Sequence, residues 1–181
     1  MSSDANMERL DGASPVTNDR LGIGVKLQGK YMTFKLAEEE YGLEILKVRE
    51  IIGLMEITRV PRTDSFIRGV INLRGKVIPV VDLRLKFGMP KIEATDQTVI
   101  IVVQYAFNEI DFTMGILVDE VLEVISIDSD QIEPPPSFGS AIDTEFILGI
   151  GKTEKRVIFL LDIGKVLTNE ESMGLSSTFD A

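Results

Sequence analysis

From Tyr31 to Ala37 the apolar residues Met32, Phe34 and Leu36 alternate with Thr33 and Lys35, the period of a half-buried strand. Glu38, Glu39 and Glu40 form an acidic connection to a second apolar stretch, Tyr41 to Leu46, so the two segments predict a hairpin. Val99 to Val103 is a continuous apolar run suited to a strand covered on both faces, and Ile110, Phe112, Met114 and Ile116 alternate again. Residues 1–28 mix Ser, Asp, Asn, Gly, Pro and Thr without a sustained period and read as a flexible N-terminal tail; residues 169–181 read as a C-terminal tail. Short strands dominate, and the fold class is mainly β.

Self-similarity at long spacing fixes the architecture further. Phe66, Ile67, Gly69, Val70, Val77, Ile78, Val80, Val81, Asp82, Leu83 and Phe87 recur 80 residues later as Phe146, Ile147, Gly149, Ile150, Val157, Ile158, Leu160, Leu161, Asp162, Ile163 and Leu167. Upstream, Gly42, Leu43, Ile45, Val48, Glu50, Ile51 and Ile52 recur at a spacing of 73 as Gly115, Ile116, Val118, Val121, Glu123, Val124 and Ile125, and Pro61 pairs with Pro134. The extra seven residues fall between Pro134 and Phe146, in a stretch with loop composition. Colinear order and matched Gly, Pro and Asp point to internal duplication. Each unit reads as three strands, a proline-containing link, a short helical piece around Phe66 or Phe146, and a two-strand hairpin. Five short strands suit a small barrel, because closing a sheet removes its edges. The expected limits are about 31–90 for one barrel and 98–167 for the other, with exchange of strands between them allowed. Asp82 and Asp162 each head a short amphipathic stretch and are expected to be helix N-caps.

Arg74-Gly75 lies between two apolar runs and predicts a tight hairpin turn, with Gly75 able to take a positive φ and Arg74 at the tip. Pro79 cannot donate to a ladder, so its strand is expected at an edge or with that nitrogen turned outward.

Composition narrows the chemistry. With no Cys and no His there is no disulfide, thiolate nucleophile, imidazole base or usual zinc site. The net charge of −10 opposes nucleic acid as a whole-molecule effect, and it is unevenly spread. Residues 47–91 hold ten basic against four acidic side chains, whereas residues 92–151 hold twelve acidic and no basic ones. Gly24 to Lys30 mimics a phosphate loop but is followed by Tyr31 and a strand; Gly149, Gly151 and Lys152 begin a hairpin that the repeat explains. Asp128, Asp130 and Glu133 lack calcium-loop spacing, and nothing sets a second catalytic group beside Glu38 to Glu40. An enzyme is not expected, nor any cofactor or metal. No apolar run approaches the roughly 18 residues of a membrane span, and no signal peptide is read at the N-terminus, so the expected location is cytoplasmic.

The segment Gly69-Val70-Ile71-Asn72-Leu73-Arg74-Gly75, followed by Val77-Ile78-Pro79-Val80-Val81-Asp82-Leu83, resembles the signature of the CheW-like coupling proteins of bacterial chemotaxis. Tyr41-Gly42-Leu43-Glu44-Ile45-Leu46-Lys47-Val48-Arg49-Glu50-Ile51 is similar to that family's other marked stretch, and the resemblance spans roughly residues 30–168. It implies two SH3-like five-stranded β-barrel subdomains with short helices, within a domain over residues 29–168. It also implies a non-enzymatic scaffold that links the cytoplasmic tips of methyl-accepting chemoreceptors to the regulatory domain of the histidine kinase CheA, at receptor arrays on the inner face of the membrane, without insertion into it. Val48, Glu50 and Arg74 resemble the receptor-coupling positions, and Gly69 is a tight spot near one kinase contact. Val48 and Glu50, two apart, are expected on one strand face. They have repeat mates in Val121 and Glu123, whereas Arg74 corresponds to Glu154, so only the first hairpin tip is expected to offer a guanidinium. A CheV-like relative would add a receiver domain after Leu167, and the kinase itself would add phosphotransfer and ATP-binding domains; neither is expected here. The alternative from another class, a β-barrel nucleic-acid-binding or other interaction module, would want aromatic platforms amid positive charge, and the chain has no Trp.

Overall fold

The computed structural model describes residues 22–135 and 145–167. Its alternating apolar segments form strands β1 (Gly29–Leu36), β2 (Glu39–Glu44), β3 (Val48–Gly53), β4 (Ile67–Leu73) and β5 (Lys76–Asp82) in the first repeat. The second repeat supplies β6 (Val99–Phe107), β7 (Ile110–Val118), β8 (Glu120–Ile127), β9 (Ile132–Glu133), β10 (Ile147–Lys152) and β11 (Val157–Leu161). They build two sheets, in the orders β8-β1-β2-β11-β10-β9 and β3-β6-β7-β5-β4. Each sheet therefore takes its first two strands from one repeat and its last strands from the other. The limits 31–90 and 98–167 bound repeats, not sheets.

The exchange obeys an internal two-fold. β5 runs parallel to β7 with Val80 opposite Gly115, and β11 runs parallel to β2 with Leu160 opposite Gly42, each residue being the other's repeat mate. Bulges fall at matching places, between Ile67 and Gly69 in β4 and between Ile147 and Gly149 in β10. In both sheets the chain leaving one edge strand returns to the other edge: Thr58 bridges Val70 of β4, and β9 pairs Ile150 of β10, the mate of Val70. β5 is not an edge strand, but β7 pairs only its last three residues, so Pro79 lies just outside that ladder.

Burial follows from this weave. β6, with both faces covered, sends Ile101, Val103 and Tyr105 into a large core between the sheets and Ile100 and Val102 into a smaller core of the second sheet. Val80 sits in that smaller core and Leu160 in its counterpart in the first sheet, both fully buried as duplication requires. Asp82 and Asp162 are N-caps, accepting from the backbone N–H of Leu85 and Gly164. Around Phe66 and Phe146 the chain makes turns instead of the expected short helical pieces, and those two carbonyls accept from the N–H of Asp82 and Asp162 at 2.7 and 2.8 Å.

The tail expected over residues 1–28 ends earlier. Residues 22–27 form a helical turn whose Ile23 and Leu27 pack on the core of the first sheet, a four-residue spacing that puts both on one face. The Tyr31 hydroxyl donates to Leu27 O at 2.6 Å, and burial, with Glu44 nearby, pushes that phenol up to about 12. Residues 1–21, the C-terminal tail and most of the inserted loop lie outside the described residues. Among the described residues no helix is long and apolar enough to cross a membrane.

Candidate interaction site

β3 is an edge strand held by β6 alone, and its register against β6 is irregular. Val48 stands opposite Val103, but Glu50 stands opposite Val102, so Arg49 is an extra residue in a bulge. Val103 points into the core between the sheets and Val102 into the core of the second sheet. Val48 and Glu50 thus lie on opposite faces, not on one. The bulge instead puts Ile51, opposite Ile101, on the face of Val48. Val48 itself is half-buried against the central core.

Glu50 is aimed at the tip of the β4–β5 hairpin. There Arg74 and Gly75 have φ of 52° and 85°, the double left-handed turn that suits strand twist, and Gly75 N donates to Asn72 Oδ1 at 2.8 Å. From this turn the Arg74 guanidinium makes a forked ion pair, Nη2 to Glu50 Oε1 and Nη1 to Glu50 Oε2. Arg74 remains 72% exposed and Glu50 is 30% exposed. The hydrogen bond to Glu50, and then the charge of that carboxylate, raise the Arg74 guanidinium pKa further, so its charge is permanent at any working pH. Two residues named separately from the sequence are therefore one unit that ties the hairpin tip to the edge strand, with further N–H donors facing solvent.

Gly69 does something else. Its φ is +139°, and a Cβ there would overlap the Thr58 carbonyl oxygen and lie 2.7 Å from Thr58 C. The next residue, Val70, exchanges two 2.8 Å hydrogen bonds with Thr58. Gly69 is what lets the chain close the sheet at that point, far along β4 from Arg74.

The second repeat also offers a guanidinium, contrary to expectation. Arg156, in the β10–β11 hairpin, binds Glu123 through Nη1 at 2.6 Å and Glu40 through Nε at 2.8 Å and Nη2 at 2.7 Å. Glu123 is the mate of Glu50, so the carboxylate is duplicated while the arginine comes from a different hairpin position. By the 80-residue spacing Arg156 matches Lys76, whose Nζ lies 3.5 Å from the Thr113 hydroxyl, and Thr113 is the mate of Glu40. That comparison was available in the sequence. Arg156 is the more enclosed of the two arginines, at 31% exposure, and holds both repeats together.

A third arginine pins the crossing between sheets. Arg84 Nε and Nη2 bind Asp119 Oδ1 and Oδ2, each at 2.7 Å, where the chain passes from β7 to β8, and Ala37 N donates to the same carboxylate at 2.7 Å. Burial pushes the Asp119 carboxyl up, but the bonds from Arg84 and Ala37 N outweigh it and hold it below the usual carboxylate range. A cavity of about 50 Å³ beside these groups also touches Arg68 and Asp82, a volume for a few waters. Among the described residues no cluster has metal-binding character. Glu133 of the acidic 128–133 stretch binds Lys152, and Gln131 accepts from Asp128 N at 2.8 Å.

A family model described as "CheW-like domain" matches residues 30–171. The chain is 41% identical over 142 residues to the chemotaxis protein CheW of Klebsiella aerogenes, covering 78% of this chain and 83% of the relative. It is 38% identical over 149 residues to that of Bacillus subtilis, covering 82% and 92%. It is also similar to the crystal structure of the scaffolding protein TtCheW from Thermoanaerobacter tengcongensis, with 41% identity and a TM-score of 0.70 over 80% of this chain and 96% of the other.

Proposed function

The chain belongs to the CheW-like domain family, and from that premise we propose that it is a non-enzymatic chemotaxis scaffold coupling the cytoplasmic tips of methyl-accepting chemoreceptors to the regulatory domain of the kinase CheA. What supports this most directly is the family match, which runs through both sheets and includes every residue of the Glu50–Arg74 site. In this reading the protein does no chemistry. Binding energy holds receptor and kinase in one geometry, and the kinase's activity follows from that constraint. Arg74 is the chain's contact to the receptor, offering its exposed donors to a carboxylate or carbonyl of a helical tip while Glu50 fixes the guanidinium plane. Val48 adds an apolar contact from the other face of the same edge strand. The kinase is met barrel to barrel near Gly69, and the assembly sits in the cytoplasm at receptor arrays.

Calorimetric titration of the full chain with a receptor-tip fragment, the kinase regulatory domain and single-stranded RNA, in parallel, tests the proposal. Binding to both proteins and not to RNA is expected; binding to RNA alone would replace the scaffold by a nucleic-acid module. Arg74→Ala should leave the fold intact and weaken receptor binding or kinase activation in a reconstituted array. Normal binding and activation by the folded variant would remove Arg74 from the site.

A further inference from the structure

The β4–β5 hairpin closes on a residue that turn chemistry does not favour. Arg74 and Gly75 both have positive φ, and the first central position of such a turn suits Asn, Asp or Gly, which tolerate a left-handed backbone. Two other hairpins of the same molecule show what strand closure alone requires. Between β6 and β7 the turn is again doubly left-handed, with φ of 51° at Asn108 and 64° at Glu109, and here Asn takes the first central position. The residue two before it, Ala106, has no side-chain acceptor. Between β10 and β11 the chain turns through Glu154 and Lys155, neither with a positive φ, and Lys152, the repeat mate of Asn72, binds Glu133 instead of the turn.

Of these three hairpins only β4–β5 sets a long side chain at the left-handed position, and only there does a side chain brace the turn. Asn72 Oδ1 accepts from Gly75 N at 2.8 Å, a donor the ladder leaves unused because Leu73 pairs with Lys76 and Asn72 with Val77. The same remedy serves Ala37, left-handed at φ 55°, whose N–H is held by the Asp119 carboxylate. Asn72 is exposed on a strand, where Asn is disfavoured, so packing does not account for it.

We propose that Asn72 is a positioning residue for the Arg74 contact: by holding Gly75 N it keeps the backbone left-handed at Arg74, which aims the guanidinium at Glu50 and fixes its remaining donors toward the receptor tip. This rests on the scaffold reading and adds to it a residue that touches no partner. A guanidinium already held by the turn and by Glu50 loses little freedom on binding. Without the brace the hairpin tip samples other turns, and Arg74 must be ordered on association.

The test is calorimetry of the full chain with a receptor-tip fragment, for wild type, Asn72→Ala, Arg74→Ala and the double variant, together with hydrogen exchange at the Gly75 amide read by NMR. Asn72→Ala is expected to weaken receptor binding about fivefold, the worth of one hydrogen bond. Its melting midpoint should stay within about 2 °C of wild type, because the side chain is exposed. In the Arg74→Ala background the same substitution should change receptor binding by less than about twofold, a dependence that a general loss of stability would not produce. The Gly75 amide should exchange faster in Asn72→Ala and stay protected in Asn72→Asp, which keeps an acceptor oxygen. Wild-type receptor binding by Asn72→Ala, or an equal loss with and without Arg74, overturns this inference and leaves the scaffold reading standing. Unchanged protection of Gly75 in Asn72→Ala does the same. Normal receptor binding by Arg74→Ala removes the Arg74 contact from the scaffold reading itself, and the role of Asn72 with it.

Discussion

Gly69→Ala separates a structural from a contact role at that position. The methyl would meet the backbone of the facing segment, overlapping Thr58 O and lying 2.7 Å from Thr58 C and 3.0 Å from Arg59 Cα. No side-chain rotation relieves this. The link after β3 must move away from β4, which breaks the two 2.8 Å hydrogen bonds between Thr58 and Val70, at about 1 kcal/mol each. Alanine at φ +139° adds roughly 1–3 kcal/mol of backbone strain. The expected loss is therefore about 3–5 kcal/mol, which for a domain of this size lowers the melting midpoint by roughly 10 °C. Gly149→Ala is the internal reference. Its new methyl would lie 3.0 Å from Glu133 O and 3.1 Å from the mobile end of Leu27, with no left-handed φ, so about 1–2 kcal/mol is expected. Urea unfolding followed by circular dichroism at constant m measures both. A Gly69→Ala cost below that of Gly149→Ala would refute the close-approach account. Kinase binding lost in a variant of undiminished stability would make Gly69 a contact residue instead.

The same unfolding assay reads two further variants. Arg156→Ala leaves Glu40, with a side chain 21% exposed, without its partner, and should cost about 1–2 kcal/mol; Arg156→Lys should recover only part, since an ammonium cannot fork between Glu40 and Glu123, and a loss under about 0.5 kcal/mol would show that the joint is not structural. Asp119→Asn tests the pin at the sheet crossing through its pH dependence. The native carboxyl has its pKa lowered, so its contribution is present above the unfolded pKa of about 3.9 and is lost as pH falls through the native value. The gap between wild type and variant should be about 2–3 kcal/mol at pH 7 and shrink steadily below pH 4, whereas a gap independent of pH would mean that the charge is irrelevant.

Duplication and strand content were legible because they depend on which side chains face inward, and Val80 with Leu160 or Asp82 with Asp162 record that directly. The exchange of strands was not, since an apolar alternation states which face is buried and not which strand lies alongside. The helical turn at residues 22–27 was hidden by length: Ile23 and Leu27 are a single i, i+4 pair, too short for a period to emerge from a polar background. The site failed at one point for a local reason. Val48, Arg49 and Glu50 are one apolar residue followed by two charged ones, a run that fits a regular strand as well as a bulged one, and the bulge that separates the faces of Val48 and Glu50 has no residue signature of its own. The neighbouring pair Ile51-Ile52 was the available sign, because two successive apolar residues on an edge strand imply that both faces matter.

Arg156 shows how duplication can mislead when it is read position by position. Selection on a joint requires a cation within reach of the carboxylate, not a cation at one fixed spacing, so Glu50 and Glu123 match while Arg74 and Arg156 do not. The two solutions also differ in what they leave free. Arg156 spends its fork on two carboxylates from both repeats, whereas Arg74 spends it on one and keeps most of its surface in solvent. A molecule with a near two-fold fold thereby acquires one closed hairpin and one open one. That asymmetry gives a partner a reason to distinguish the two ends, and it is set by where one arginine sits in a turn.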